Sequence, residues 1–216
     1  MTQDLTRYAW LSVAAALLTL TLKFAAYWKT GSVSLLSDAL ESLVNLAAAL
    51  LALAMLRWAA QPPDQDHSFG HDKAEYISSG VEGALIFVAA AGIVISAVPR
   101  LLNPQPLQEI SLGLALSIVA SLINGATAWI LLKAGRRYQS VALKADAHHL
   151  LTDCWSSAAV LIGVTGVAVT GYNILDPIAA LVVAAYIAWT ATRILHQATH
   201  GILDASLPTP TLEKIE

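Results

Sequence analysis

Six long apolar segments, separated by short polar breaks, constrain this chain more than any other feature. Each segment is long enough as a helix to cross a hydrocarbon core about 30 Å thick. They are Tyr8–Trp28, Val33–Trp58, Tyr76–Val98, Ile110–Leu132, Val141–Thr170 and Ile174–Leu195. Because backbone groups in lipid must be satisfied within their own segment, helices are predicted, whereas a β-barrel would show short alternating stretches. The predicted fold class is an all-α integral membrane protein with six transmembrane helices.

Composition supports a membrane protein. Charged residues make up 12% of the chain and hydrophobic residues 56%, whereas soluble domains are about 25% charged. The net charge of −3 comes without a basic patch, so nucleic-acid binding is excluded. The single cysteine, Cys154, excludes an internal disulfide and a CxxC metal site, and it is predicted to be a small core residue.

Lysine and arginine predict the orientation, since cytoplasmic loops are enriched in them. With both termini in the cytoplasm, nine of these residues lie inside: Arg7, Arg57, Lys73, Lys133, Arg136, Arg137, Lys144, Arg193 and Lys214. Lys29 and Arg100 then lie outside. Lys23 is expected near the outer end of the first span, where it can snorkel to the interface. A multi-pass protein of the cell (inner) membrane is predicted.

The chain is expected to hold a transport domain over residues 1–204 and a short cytoplasmic tail over 205–216, too short to bury a core of its own. The N-terminus is not expected to be a cleavable signal peptide, because the apolar run that follows it is too long.

Ionisable residues inside two predicted spans indicate function, since the bilayer should exclude them. In the second span, Asp38, Glu41, Ser42 and Asn45 recur at helical spacing and form one polar stripe. In the fifth span, Asp146, His149 and Asp153 form a second stripe. Two such stripes, if they face each other, can build a site for an ion.

Glu41 and Asn45 are one helical turn apart, as are His149 and Asp153, so each pair can reach one ion from its own helix. Mixed nitrogen and oxygen ligands suit Zn²⁺, Fe²⁺, Co²⁺, Mn²⁺ or Cd²⁺, and do not suit Cu(I). The alternative is that these residues only join helices by hydrogen bonds, which is the better interpretation for Ser42 or Asn45 taken singly. Asp38 is a further candidate ligand, or it hydrates the pathway or caps a neighbour.

Other histidines and acids fall outside these stripes. In the loop before the third span, Asp64, His67 and His71 can bind one ion or can simply form a solvated loop. His196 and His200, four residues apart, are expected in interfacial or helix-dipole roles rather than as a weak metal site.

Several segments together resemble the cation diffusion facilitator family of metal/proton antiporters, over nearly the whole chain. The resemblance is carried by Gly31–Asp38, by His67–Glu75, by Lys144–Asp153 and by the pair Asp176-Pro177. It implies a transport site of Glu41, Asn45, His149 and Asp153, and a loop metal site of Asp64, His67 and His71. It also implies a homodimer tied by the charged pair Lys73 and Asp204, working by alternating access.

Two departures from the family pattern stand out. The positions of Glu41 and Asn45 usually carry Asp or His followed by Asp, so here the site has one formal charge fewer, which can shift selectivity toward Fe²⁺ or Mn²⁺ or recruit Asp38. Family members also usually carry a cytoplasmic domain after the sixth span, and this chain stops where that domain would begin. The sequence leaves open whether the chain is naturally short or truncated.

The function expected from these features is efflux of a divalent transition-metal cation, most simply Zn²⁺, in exchange for protons. His149 is the expected switch, since an unperturbed imidazole changes charge near neutral pH. No prosthetic group is expected. An intramembrane metalloenzyme is disfavoured, because the chain lacks His-Glu-x-x-His and no nucleophile pairs with a base. A metal channel, or a metal sensor or scaffold without turnover, remains the alternative.

Overall fold

The computed structural model describes residues 6–59, 74–138 and 141–203. These residues form six helices, which are α1 (Thr6–Thr30), α2 (Val33–Ala59), α3 (Ala74–Leu102), α4 (Ile110–Arg137), α5 (Val141–Thr170) and α6 (Leu175–Ile202). Each coincides with one of the six predicted apolar segments, most of them extended by a few residues. The loop candidates Asp64, His67 and His71, and the charged pair Lys73 and Asp204, lie outside the described residues.

Five of these helices are long and apolar enough to cross a membrane, and each is about a third buried or less along its most apolar stretch. They are α1, α3, α4, α5 and α6, the search covering only the described part of the chain. The all-helical membrane class is therefore supported. It stays a prediction that α2 also crosses the membrane, which would make six spans, and that both termini are cytoplasmic.

The chain forms two compact units. The first comprises Met1–Leu43 and Ala89–Tyr186, and holds α1, the start of α2, the later part of α3, α4, α5 and the start of α6. In it α4 packs against both α1 and α5. An apolar cluster joins α4 to α5 through small and branched side chains, namely Ala128, Leu131, Ala134, Leu143, Ala147 and Leu150.

The second unit comprises Val44–Val88 and Ile187–Glu216. In it the start of α3 lies close to the end of α6. A Cβ placed on Gly83 would lie 2.9 Å from Cγ of Leu195, and one on Gly201 would lie 2.1 Å from Cδ1 of Tyr76. Gly83, with no side chain, thus allows α3 to approach α6 closely.

The turn between α1 and α2 is only two residues long. Gly31 has φ of +66° and ends α1, where its N–H donates to the carbonyl of Tyr27 at 2.8 Å; glycine adopts this left-handed conformation without steric cost. Thr30 donates its hydroxyl to the carbonyl of Ala26 and accepts from the N–H of Ser32. The short turn makes α1 and α2 an antiparallel hairpin, so residues equally far from Gly31 lie at the same level.

Gly113 of α4 faces this turn. A Cβ on Gly113 would lie 2.1 Å from Cγ2 of Thr30, and Thr30 cannot rotate away without losing its hydroxyl hydrogen bonds to Ala26 and Ser32. We expect Gly113→Ala to destabilise the protein by about 1–3 kcal/mol, as overpacking does. Thermal unfolding in detergent, followed by tryptophan fluorescence, measures it.

Gly92→Ala in α3 is the matched control, because no atom lies within 4 Å of a Cβ placed there. Alanine in an open helical position should raise stability by about 0.5–1 kcal/mol. Equal melting temperatures for the two variants would contradict the close approach of α4 to Thr30.

Candidate functional site

A lysine lies at the centre of the first unit. Lys23 of α1 is 0% exposed, and its ammonium donates to Oδ1 of Asp38 at 2.9 Å, to Oγ of Ser42 at 2.7 Å and to Oδ2 of Asp153 at 2.9 Å. An ammonium has three N–H donors, and all three have acceptors here. The expectation that Lys23 snorkels to the interface is therefore wrong, since buried carboxylates from two other helices hold it inside.

Asp153 of α5 is 6% exposed and is held by donors from three other helices. Its Oδ1 accepts from the hydroxyl of Ser42 at 3.1 Å, and its Oδ2 accepts from Lys23 and from the side-chain amide of Asn124. Asn124 belongs to α4 and is itself buried. A single carboxylate thus brings α1, α2, α4 and α5 together.

Asp38 is the second carboxylate on Lys23 and is 1% exposed. Its Oδ1 also accepts from the hydroxyl of Ser157 at 2.7 Å, so it links α2 to α5 as well as to α1. These six side chains form what we call the buried ion cluster: Lys23, Asp38, Ser42, Asn124, Asp153 and Ser157.

Glu41 lies beside this cluster on α2. It interacts electrostatically with Asp153, Asp38 and Lys23. Its Oε2 is buried and has no hydrogen-bond partner within the described structure, and Oδ1 of Asn124 is in the same condition. An orphaned buried oxygen is costly unless something binds it, so these two atoms are acceptors available to a cation.

The other predicted ligands are placed less centrally. His149 lies one turn before Asp153 on α5 and its ring is exposed. Asn45 lies one turn beyond Glu41, at the start of the second unit, and is partly buried. Asp146 is partly buried near the start of α5. Of the three α5 residues in the predicted stripe, only Asp153 is fully buried.

Nowhere in the described ranges do three His, Cys, Asp or Glu side chains stand close enough to hold a metal ion in this arrangement. The cation that contacts Asp153 is instead the ammonium of Lys23. The transport site of Glu41, Asn45, His149 and Asp153 stays a prediction, as does the part of Asp38 in it.

Three members of the buried ion cluster, Lys23, Asn124 and Ser157, were not assigned to the candidate site from the sequence. Lys23 had a usable signal, because it lies eight residues before Gly31 while Asp38 lies seven after, which places them together in an antiparallel hairpin. Asn124 and Ser157 had only the weak signal of a polar residue within an apolar helix.

His196 and His200 lie near the end of α6, where their Nε2 atoms are 3.1 Å apart and both rings are exposed. Cys154 is partly buried and donates to the carbonyl of Ser121 at 3.4 Å, across α4 and α5. The sequence predicted interfacial or helix-dipole roles for His196 and His200, and a small core residue at Cys154.

Comparison with known proteins places the chain in a family. The cation efflux transmembrane domain matches residues 9–203. The uncharacterized transporter sll1263 of Synechocystis sp. strain PCC 6803 is 54% identical over 216 residues, which is 100% of this chain and 70% of that protein.

Two relatives have a stated activity. The cation-efflux pump FieF of Yersinia enterocolitica is 34% identical over 220 residues, covering 97% of this chain and 72% of the pump. FieF of Klebsiella pneumoniae is 33% identical over 202 residues, covering 94% and 67%. The chain therefore belongs to the cation efflux family of multi-pass membrane transporters, as its resemblance to the cation diffusion facilitators predicted.

Proposed function

We propose that this protein exports a divalent transition-metal cation, Zn²⁺ in the first instance, in exchange for protons by alternating access. The observation that carries the proposal is Asp153, a buried carboxylate at the meeting point of four helices that already holds a cation, the ammonium of Lys23. Ionisable groups at this depth of a membrane domain mark ion pathways. Membership of the cation efflux family supports cation export as the transport reaction.

The proposed ligands are Glu41, Asn45, His149 and Asp153. Carboxylate, amide and imidazole groups bind Zn²⁺, Cd²⁺, Fe²⁺, Co²⁺ or Mn²⁺. Because Asn45 is neutral, the proposed site has one negative charge fewer than the family pattern, and the order of affinities for these metals is to be measured. Metal ligands must be deprotonated, so a cation that enters from the cytoplasm displaces protons, and protons on the other side displace the cation. His149 is accessible for this exchange because its ring is exposed.

Assembly and the loop belong to the same proposal. Two copies are proposed to work as a homodimer in the cell membrane, with Lys73 and Asp204 pairing at the cytoplasmic ends, and Asp64, His67 and His71 are proposed to bind a further ion. The family resemblance supports both, and all five residues lie outside the described part of the chain.

The test is metal-driven proton flux in proteoliposomes with Zn²⁺, Cd²⁺, Fe²⁺ or Mn²⁺ as the driving cation. A carrier gives flux that saturates with metal concentration and that a proton gradient accelerates. Linear, gradient-independent metal flux would replace the antiporter with a channel. Tight metal binding without flux of either ion would replace it with a sensor or scaffold.

His149→Ala is expected to flatten the pH dependence of this flux. In the wild type, protons compete with the metal for the imidazole nitrogen proposed to ligate it, so the apparent affinity should fall by up to about tenfold for each tenfold rise in proton concentration. Without the imidazole this fall should be much smaller. His148→Ala is the control, because His148 is the exposed neighbour on α5, and it should keep the wild-type profile. A wild-type profile in His149→Ala would remove His149 from the exchange.

A further inference from the structure

We propose that the ammonium of Lys23 is a tethered counter-cation. It occupies Asp153 when no metal is bound and withdraws onto Asp38 when a divalent cation arrives. Lys23 thereby sets how tightly the site holds its cargo. This inference rests on the proposed transport of a divalent cation through Asp153.

The first step is that Lys23 and a metal ion need the same atoms. Both oxygens of Asp153 already accept hydrogen bonds, Oδ1 from Ser42 and Oδ2 from Lys23 and Asn124. Both lone pairs of Oδ2 are taken, so a divalent cation that ligates this oxygen must displace Lys23 or Asn124. Only Lys23 among these donors carries a positive charge, and two cations on one carboxylate repel each other. The ammonium is thus the group that leaves.

The second step is that the ammonium has a position to leave to. Its bonds to Asp38 and Ser42, at 2.9 and 2.7 Å, do not involve Asp153. Asp38 is one turn before Ser42 on α2, is fully buried, and is held in place by the hydroxyl of Ser157. When Lys23 releases Asp153, it can keep two of its three hydrogen bonds and a complete ion pair, so no unpaired buried charge results.

The third step is charge balance. In the described arrangement one ammonium faces the carboxylates of Asp38 and Asp153, so this trio carries a formal charge of −1. After the move, Lys23 and Asp38 neutralise each other. Asp153 and an ionised Glu41 then offer two negative charges to a divalent cation.

The fourth step is that oxygen acceptors for that cation are present and unused. Oε2 of Glu41 and Oδ1 of Asn124 are both buried without a hydrogen-bond partner in the described structure. The amide of Asn124 must point its nitrogen at Asp153, because a carboxylate only accepts, so its oxygen is left available. These acceptors favour oxygen-binding divalent cations.

A tethered cation that returns to Asp153 helps expel the cargo. Binding is weaker than the ligands alone would give, because each metal ion must first displace the ammonium. Release is faster for the same reason. A lysine kept here only to join helices would have neither effect.

The test is a set of Cd²⁺ and Zn²⁺ titrations by calorimetry on the full chain in detergent at one fixed pH. We expect Lys23→Met to bind about tenfold more tightly than the wild type, because one repelling charge is removed. Its transport in proteoliposomes should show a lower KM and a lower maximal rate. We expect Asp38→Asn to bind about tenfold more weakly, because the ammonium then has only Asp153 to pair with.

The double variant Lys23→Met/Asp38→Asn decides the case. It also leaves one buried carboxylate without its ammonium, whereas Lys23→Met leaves two. If Asp38 acts through Lys23, the double variant keeps an affinity closer to Lys23→Met than to the wild type. If the two residues act as independent charges, the affinity returns to the wild-type value, and the proposal is wrong. Thr19→Val is the matched control on α1, since Thr19 is buried and its hydroxyl bonds only to the carbonyl of Ala16 in the described contacts.

Failure of the proposed function has a different signature. A wild type that neither binds nor transports any of these cations rejects the transport proposal, and the role of Lys23 with it. A wild type that binds and transports, while Lys23→Met and Asp38→Asn both weaken binding in folded protein, rejects only the tethered counter-cation.

Discussion

Asp153→Ala is expected to abolish metal-driven proton flux, lowering it by about a hundredfold or more, to the level of empty liposomes. Loss of even an outer partner of a metal ligand typically costs 10–100-fold in affinity or activity, and Asp153 is a proposed ligand itself. The variant also removes the acceptor on which Lys23, Ser42 and Asn124 converge. The measurement is the proteoliposome flux assay with Zn²⁺ as driving cation.

Two further variants separate lost chemistry from lost structure. Asp153→Asn keeps the size of the side chain and should also lose flux, because a neutral amide replaces the charged ligand. Thr152→Ala is the neighbouring control on α5; its hydroxyl is exposed and bonds to the carbonyl of His148 in its own helix. It should keep wild-type flux. Robust Zn²⁺-driven flux in folded Asp153→Ala would move the transport site away from the buried ion cluster.

The helices could be predicted from the sequence because membrane-length apolar runs leave few alternatives. Their ends are set by local signals, such as Gly31 after α1 and the Asn103-Pro104 pair after α3. The predicted boundaries differ from the observed ones by at most seven residues, at the C-terminal end of α6. Such helix ends depend on side chains at the membrane–water interface. The hydrophobic periodicity of the sequence does not show whether those side chains are buried.

The candidate site could be predicted only in part, because helical spacing shows which residues share a face and not which face they meet. The predicted stripes on α2 and α5 contain Asp38, Ser42 and Asp153, and in the structure Ser42 donates to Asp153 while Ser157 of α5 donates to Asp38. The prediction for Lys23 was wrong because it considered only how near Lys23 lies to the end of α1. It did not consider that the α1–α2 hairpin places Asp38 opposite Lys23. Asn124 could not have been assigned, since nothing in α4 reveals that α5 lies against it.

The structure also explains two sequence segments whose physical role the sequence alone did not indicate. The resemblance singled out Gly31–Asp38 and Asp176-Pro177, and the fold explains why they occur together. Asp176, at the start of α6, accepts from the N–H groups of Val33 at 2.7 Å and Ser34 at 3.2 Å, and from the hydroxyls of Ser32 and Ser34. A carboxylate from a distant helix therefore caps the start of α2.

The first four N–H groups of α2 all have hydrogen-bond acceptors. Asp176 takes those of Val33 and Ser34, the hydroxyl of Ser32 takes that of Leu35 at 3.1 Å, and the carbonyl of Ser32 takes that of Leu36 at 3.1 Å. The negative charge also lies at the positive end of the helix dipole. Because Asp176 is 2% exposed, water cannot easily replace it.

Asp176→Ala is therefore expected to lower the free energy of unfolding by about 3 kcal/mol or more. It leaves two buried N–H groups and two hydroxyls without their acceptor, and a buried orphan donor costs about 1–3 kcal/mol. Ser34→Ala removes the hydroxyl bonds to Asp176 and Ser32 and should cost only about 1–2 kcal/mol. Thermal unfolding in detergent, followed by the fluorescence of the six tryptophans, gives the order of the variants.

The matched control is Asp146→Ala, which removes a partly buried carboxylate from α5. If the large effect of Asp176 arises from the cap, Asp146→Ala should shift the melting temperature far less. If any lost carboxylate in this acidic chain destabilised it equally, the two variants would melt together. A melting temperature of Asp176→Ala within error of the wild type would mean that α2 does not depend on α6 for its start. The joint occurrence of the two motifs would then need another physical cause.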